Sequence, residues 1–155
     1  MDGFDAKILN IVQKDNRLPA AKIAERVGLS TSAIQRRLNR LRKEGVIEAD
    51  VAIVSPDAVG RSLTAIVSVV IDKERPLQRS LAEFRELMLG RAEVIRCYDV
   101  SGEEDFVVVV SARDMKDYEK LSRELFMENP NVRRYKSSLV IRMVKSGTAV
   151  PVNEE

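Results

Sequence analysis

Between Gly28 and Gly45 the chain reads GLSTSAIQRRLNRLRKEG, and this stretch constrains the fold more than any other. Ser30 is suited to cap a helix, because its hydroxyl can accept a hydrogen bond from an otherwise unpaired first-turn amide. Ile34, Leu38 and Leu41 then recur at i, i+4 and i+7, which lines one face of an α-helix with apolar side chains. At about 100° per residue, Ser32, Arg36, Arg40 and Lys43 fall on the opposite face and Arg37 on the flank. Ser30–Lys43 carries five positive side chains and no negative one. Many basic amphipathic helices are solvated surface elements. A helix with small hydroxyls at its start and arginines along its polar side is also shaped for a DNA major groove, where guanidinium groups meet phosphates and guanine edges.

The neighbouring sequence strengthens the second reading. Phe4, Ile8, Ile11 and Val12 have helical spacing, and Asp2 is a plausible cap, so a first helix is expected to run to about Lys14. Asp15-Asn16-Arg17 reads as a turn. Pro19 suits the first position of a second helix, whose packing face is Ala20, Ile23, Ala24 and Val27. Gly28 can adopt the left-handed conformation that ends it, and Leu29 is expected to plug the core before Ser30 begins the third helix. Helix, short turn, helix is the helix-turn-helix arrangement. Downstream, Val46, Ile47, Val51 and Ile53 are expected to form a small hairpin, or wing.

Turn chemistry at Ser55-Pro56-Asp57 and Gly60 places a domain boundary near residues 55–62. Beyond it, Leu63–Ile71 is a buried-strand run. Pro76 opens a helix with Leu77, Leu81, Phe84 and Met88 at helical spacing. Val94–Val100 and Phe106–Val110 are strands joined through Ser101-Gly102-Glu103-Glu104. Asp114 caps a helix with Met115, Tyr118, Leu121 and Leu125 inward, and Asn129-Pro130 stops it. A last strand is expected over Val132–Val144, with Tyr135, Leu139, Ile141 and Met143 toward one side. The order β-α-β-β-α-β is the ferredoxin-like plan, an antiparallel sheet with both helices on one face. The fold class is therefore α+β: a winged helix-turn-helix over residues 1–60, a ferredoxin-like domain over 61–145, and a frayed tail over 146–155. The bare sheet face needs a cover, and a second copy of the chain supplies one.

Composition narrows the chemistry. The chain has no histidine, which excludes a His-based acid–base pair, triad or zinc site. A single cysteine, Cys97, leaves no internal disulfide and fits a reducing cytoplasm; it is expected to pack as a small apolar residue. No apolar run approaches the ~20 residues of a membrane span, and MDGFDAKIL lacks the pattern of a secretory signal. The net charge of +2 gathers entirely in residues 1–60, and there in the third helix.

Taken together, residues 2–145 resemble the Lrp/AsnC family of feast/famine transcriptional regulators. The resemblance rests on Asp5 with Ile8-Leu9, Arg17, Ala24, Val27-Gly28-Leu29-Ser30, Arg37, Arg40-Leu41, Gly45-Val46-Ile47, Gly60, Gly102 with Asp105, and the closing SSLVIRMVK. Departures are Thr31 where the family often has Pro, Ala49-Asp50 where it often has Gly-Tyr, and Glu104 where an aromatic is common.

The resemblance implies a non-enzymatic, cytoplasmic regulator without metal or resident cofactor. Its partners would be double-stranded DNA carrying an imperfect inverted repeat and further copies of itself, a dimer assembling to tetramers or octamers. The DNA-contacting residues would be Ser30, Thr31, Ser32, Gln35, Arg36, Arg37, Arg40 and Lys43. A small effector, commonly an amino acid, would bind near Gly102, with Tyr98, Ser101, Glu103, Glu104, Asp105, Ser137 and Ser138 as candidate contacts. Glu103-Glu104-Asp105 would attract an ammonium group, or form a solvated acidic turn with Asp105 pinning the hairpin. Two other readings are weighed: a tetrapyrrole decarboxylase on the same scaffold, disfavoured by the missing histidines, and an amino-acid-sensing module that no longer reads DNA.

Overall fold

The computed structural model describes residues 1–154 and divides the chain into two compact units. One comprises Met1–Ile53 with the tail from Val144 onward; the other is Val54–Met143.

The first unit holds α1 (Gly3–Val12), α2 (Ala20–Val27) and α3 (Thr31–Lys43). Asp2 caps α1 in a reciprocal box: its carboxylate accepts from the Asp5 amide, and the Asp5 carboxylate accepts from the Asp2 amide. Pro19 sits one position ahead of α2, with extended backbone at ψ 144°. Gly28 ends α2 at φ 78°, a left-handed turn that lets α3 start three residues later. Ser30 accepts from the Ala33 amide at 3.2 Å and caps α3. Ile8, Ile23, Ala24, Val27, Ile34 and Leu38 form the buried core, with Leu29 packed against it. Phe4, expected inside, is 41 % exposed.

The expected wing is absent: no strand or helix covers 44–56. The Val46 and Ile47 amides are both taken by the Leu41 carbonyl, at 2.9 and 3.1 Å, as the helix closes. Asp50 is held by Arg42 and by the Asn16 amide, each at 2.8 Å. The stretch that would have turned a hairpin is thus fastened to α3 and the preceding loop, which leaves Val51 and Ile53 exposed.

The tail also departs from expectation, because it is held against α1 instead of fraying. The Gln13 side-chain amide brackets the Val150 backbone, donating to its carbonyl at 3.1 Å and accepting from its N–H at 2.7 Å. Asn10 donates to the Val152 carbonyl at 3.0 Å. Gln13→Ala removes both ends of the bracket, a loss of about 0.5–1.5 kcal/mol per bond. The expected result is an unprotected exchange rate at the Val150 amide; retained protection would mean that something else holds the tail.

The second unit is a four-stranded antiparallel sheet in the order β2-β3-β1-β4. Its elements are β1 (Leu63–Ile71), α4 (Leu77–Leu89), β2 (Val94–Asp99), β3 (Phe106–Ala112), α5 (Met115–Ser122, continued by a π-turn over Arg123–Met127) and β4 (Val132–Leu139). Alternation puts Ala65, Val67, Val69 and Ile71 of β1, and Phe106, Val108, Val110 and Ala112 of β3, on one face. There they meet Phe84 and Met88 of α4 and Tyr118, Leu121, Leu125 and Phe126 of the second helical segment. This is the ferredoxin-like plan.

The last strand is shorter than predicted. Leu139 pairs with Ala65, and the Val140 amide still reaches the Thr64 carbonyl at 2.9 Å, but β1 begins at Leu63 and offers nothing further to pair with. Ile141 and Met143 are consequently 99 % and 62 % exposed. Among the described residues no helix is long and apolar enough to cross a membrane.

Candidate nucleic-acid interface and effector site

The buried row Ile34, Leu38 and Leu41 turns one side of α3 into the core, and so fixes which side faces outward. Ser30, Thr31, Ser32, Gln35, Arg36 and Lys43 are all exposed. Ser30 and Ser32 hydroxyls lie 3.1 Å apart at the helix start. Arg36 and Lys43 have no ion-pair partner among the described residues.

The other predicted contact residues are placed differently. Arg37 is turned toward α1: its Nη1 donates to Asp5 Oδ1 at 2.7 Å and to Asp2 Oδ2 at 2.8 Å, and its guanidinium lies 5.6 Å from the Phe4 ring centroid. Its side chain is only 20 % exposed. Arg40 donates through Nη2 to Asp5 Oδ2 at 2.6 Å and keeps 44 % of its side chain exposed. The helix therefore offers two unpaired cations, one half-engaged cation and one inward cation, with Arg42 tied to Asp50.

The Asp5 carboxylate carries this arrangement, being fully buried between the helices. Burial alone would raise its pKa. The Asp2 amide and the Arg37 and Arg40 guanidinium groups outweigh that and hold the carboxyl below its ordinary value. Arg37 is correspondingly held above its own ordinary value by the two carboxylates. Without Arg37, Asp5 keeps Arg40 and the Asp2 amide; without Asp5, Arg37 keeps only Asp2, and Arg40 only Glu44 at 4.0 Å.

At the other candidate site, β2 and β3 are joined by a hairpin over residues 100–105. Gly102 adopts φ 133°, a backbone conformation in which a Cβ would be strained. Asp105 ties the hairpin to β1: its carboxylate accepts from the Ile71 amide at 2.8 Å, and its own amide donates to the Val69 carbonyl at 2.9 Å. One oxygen of Asp105 is therefore committed to structure. Glu103 is exposed and Glu104 partly so, beside exposed Ser101 and Tyr98.

Ser137 and Ser138 do not join this group within one chain. Tyr135, Ser137 and Leu139 lie opposite Val69, Val67 and Ala65, on the helix face; Ser138 lies opposite Ile66, on the bare face. The two serines thus point to opposite sides of β4, two strands away from the hairpin. Ser137 accepts from the Tyr118 hydroxyl and lines an open groove of about 340 Å³ with Met115, Ser122 and Tyr135. Cys97 lies half-buried on the helix face, against the core, and burial raises its thiol pKa; this is the packing role expected of it.

Residues 64–150 match the family model for the Lrp/AsnC ligand-binding domain, and residues 1–48 match that for winged helix-turn-helix DNA-binding. The chain belongs to the Lrp/AsnC family of transcriptional regulators. It is 45% identical to an uncharacterised HTH-type transcriptional regulator of Sinorhizobium fredii, over 98% of this chain and 89% of that protein. It superposes with a TM-score of 0.90 on a transcriptional regulator of Neisseria meningitidis in complex with L-methionine, 29% identical over 99% of this chain and 97% of that one. A feast or famine regulatory protein of Mycobacterium tuberculosis, also complexed with L-methionine, matches with a TM-score of 0.81 and 31% identity, over 94% and 95% of the two chains. The Lrp/AsnC resemblance, the α+β fold and the DNA-binding regulator reading are thereby confirmed.

Sequence reasoning missed Asp5 as a charge partner. The signal was present: Asp5, Ile8 and Leu9 share i, i+3 and i+4 spacing, which put a carboxylate on the packing face. Arg37 on the flank of α3 was its counterpart.

Proposed function

We propose that this regulator binds duplex DNA as a homodimer, with α3 of each copy in a major groove of an imperfect inverted repeat, and responds to an amino acid held by the β2–β3 hairpin. The observation that carries the DNA reading is the outward row on α3, from Ser30 and Thr31 through Ser32, Gln35 and Arg36 to Lys43. The N-terminal turns of a recognition helix address base edges, which suits Gln35 and Arg36 to adenine and guanine, while Lys43 suits a phosphate. Arg40, half-exposed, is a secondary phosphate contact.

Support for a dimer comes from the bare sheet face. Ile66, Val70, Val107 and Val109 occupy its centre, with Arg96, Arg134 and Lys136 at the margins. A second copy covers this apolar strip, and tetramers or octamers follow from further contacts around the hairpins. The site of action is the cytoplasm.

For the effector, two relatives are complexes with L-methionine, and the hairpin offers Ser101, the Gly102 backbone, Glu103 and Glu104 to an amino acid's charged ends. A ligand changes regulation only through unequal affinity for two assemblies or conformations. The experiment is selection from random duplex DNA by the full-length protein, with and without a panel of amino acids. A two-fold-symmetric motif whose enrichment shifts with one amino acid is expected. No enriched sequence would reject DNA reading, and enrichment indifferent to every amino acid would reject the effector.

A further inference from the structure

The cluster of Asp2, Asp5, Arg37 and Arg40 places two carboxylates and two guanidinium groups in direct contact between α1 and α3. We propose that Asp5 is a positioning residue for DNA recognition: it withholds Arg37 from the duplex, rations Arg40, and reinforces the rotation of α3 set by Ile34, Leu38 and Leu41, which aims Gln35 and Arg36 at the bases. This inference rests on the DNA-binding reading.

Geometry supports a clamp, not a casual surface pair. Each Asp5 oxygen has its own guanidinium, Oδ1 with Arg37 and Oδ2 with Arg40, and Oδ2 also accepts from the Asp2 amide at 3.0 Å. Asp2 adds contacts to Arg37 at 2.8 and 2.9 Å. Arg37 is therefore bound by two carboxylates and lies near the Phe4 ring. A phosphate would have to displace both carboxylates to recruit it. Arg40 is held by Asp5 alone at close range, with Glu44 distant at 4.0 Å, so a phosphate competes for it on nearly even terms. Arg36 precedes Arg37 on the same helix, about 100° around the axis; pinning Arg37 therefore reinforces the bearing of Arg36.

Neutralising Asp5 frees a cation and loosens aim at once, and these have opposite signatures. Each added phosphate contact steepens the fall of log K with log salt by about 0.9. Asp5→Asn leaves Arg37 on Asp2 and frees Arg40, so it is expected to steepen this slope by up to about 0.9 per subunit, while the ratio of affinities for selected over random duplex falls at least tenfold. Asp5→Glu, which keeps the charge, is expected to restore the wild-type slope. Arg37→Gln is expected to leave the slope unchanged, since Arg37 makes no phosphate contact; it also decides the matter should Asp5→Asn fail to fold.

Three results overturn the inference: equal slope and ratio in Asp5→Asn, a parallel loss on both duplexes at unchanged slope, or a slope about 0.9 per subunit shallower in Arg37→Gln. Each presupposes a wild-type chain that binds the selected duplex. A wild-type chain that binds no duplex removes the DNA reading itself, which is a separate and recognisable failure.

Discussion

Phe106→Ala is expected to destabilise the ferredoxin-like unit sharply while leaving the helix-turn-helix unit as stable as before. Phe106 opens β3, is fully buried, and sits 4.6 Å from the Phe84 ring centroid at a 40° tilt. It pairs with Val69 on β1 and Asp99 on β2, and its ring packs against Phe84 and lies under the Arg85 guanidinium, both of α4. Truncating such a side chain costs about 3–5 kcal/mol, a large share of the roughly 5–15 kcal/mol that holds a domain together. The core of α1–α3 is built from other residues, among them Ile8, Ile23, Ile34 and Leu38. Hydrogen exchange separates the outcomes: amides of β1 and β3 lose protection, whereas those of α1–α3 keep it. Loss of protection in both sets together would show one cooperative core and contradict the two-core description.

Arg36→Ala is expected to weaken binding to the selected duplex by about 1–3 kcal/mol per half-site. A symmetric dimer makes the contact twice, so the loss reaches about 2–6 kcal/mol, roughly 30-fold to 20,000-fold in Kd. The loss concentrates on one base position in each half-site, and substituted sequences at that position are bound almost as well as the original by the variant. Lys43→Ala, by contrast, weakens all duplexes alike, as removal of a phosphate contact does. Competition binding against a panel of single-position duplexes reads both. A uniform loss from Arg36→Ala would demote that side chain to a phosphate contact.

The helix-turn-helix and the βαββαβ order were legible in the sequence because both are written in apolar periodicity and in cap residues. Asp2, Gly28, Ser30 and Asp114 mark helix ends by local chemistry, and each acts there as a cap or turn in the structure. What escaped was decided by tertiary partners. The wing was expected from Val46, Ile47, Val51 and Ile53, yet their backbone is governed by the Leu41 carbonyl and by Asp50 held between Arg42 and Asn16. The end of β4 was set by where β1 begins, which no property of residues 140–144 reveals. The tail bears no periodic signal because side-chain amides of Asn10 and Gln13 hold its backbone.

The candidate site divides in the same way. A helical projection separates the outward face of α3 from the core face, and places Ser32, Arg36 and Lys43 correctly. It cannot rank cations by availability, because Arg37 and Arg36 look alike until Asp5 is placed beside one of them. The hairpin was legible as a turn; Asp105 reads in sequence as an effector contact or as the hairpin's pin, and its carboxylate on the Ile71 amide serves as the pin. Ser137 and Ser138 read in sequence as co-lining one site, whereas alternation along a strand sends neighbours to opposite faces.

Recognition as proposed needs α3 to present Arg36 outward to DNA while Arg37 stays inward on Asp5. The most direct measurement follows the arginine side-chain Nε–Hε resonances of the full-length protein as the selected duplex is added. The expected result is a large shift of the Arg36 signal, a smaller one for Arg40, and an Arg37 signal that stays in place. An Arg37 signal that moves while that of Arg36 stays still would contradict it.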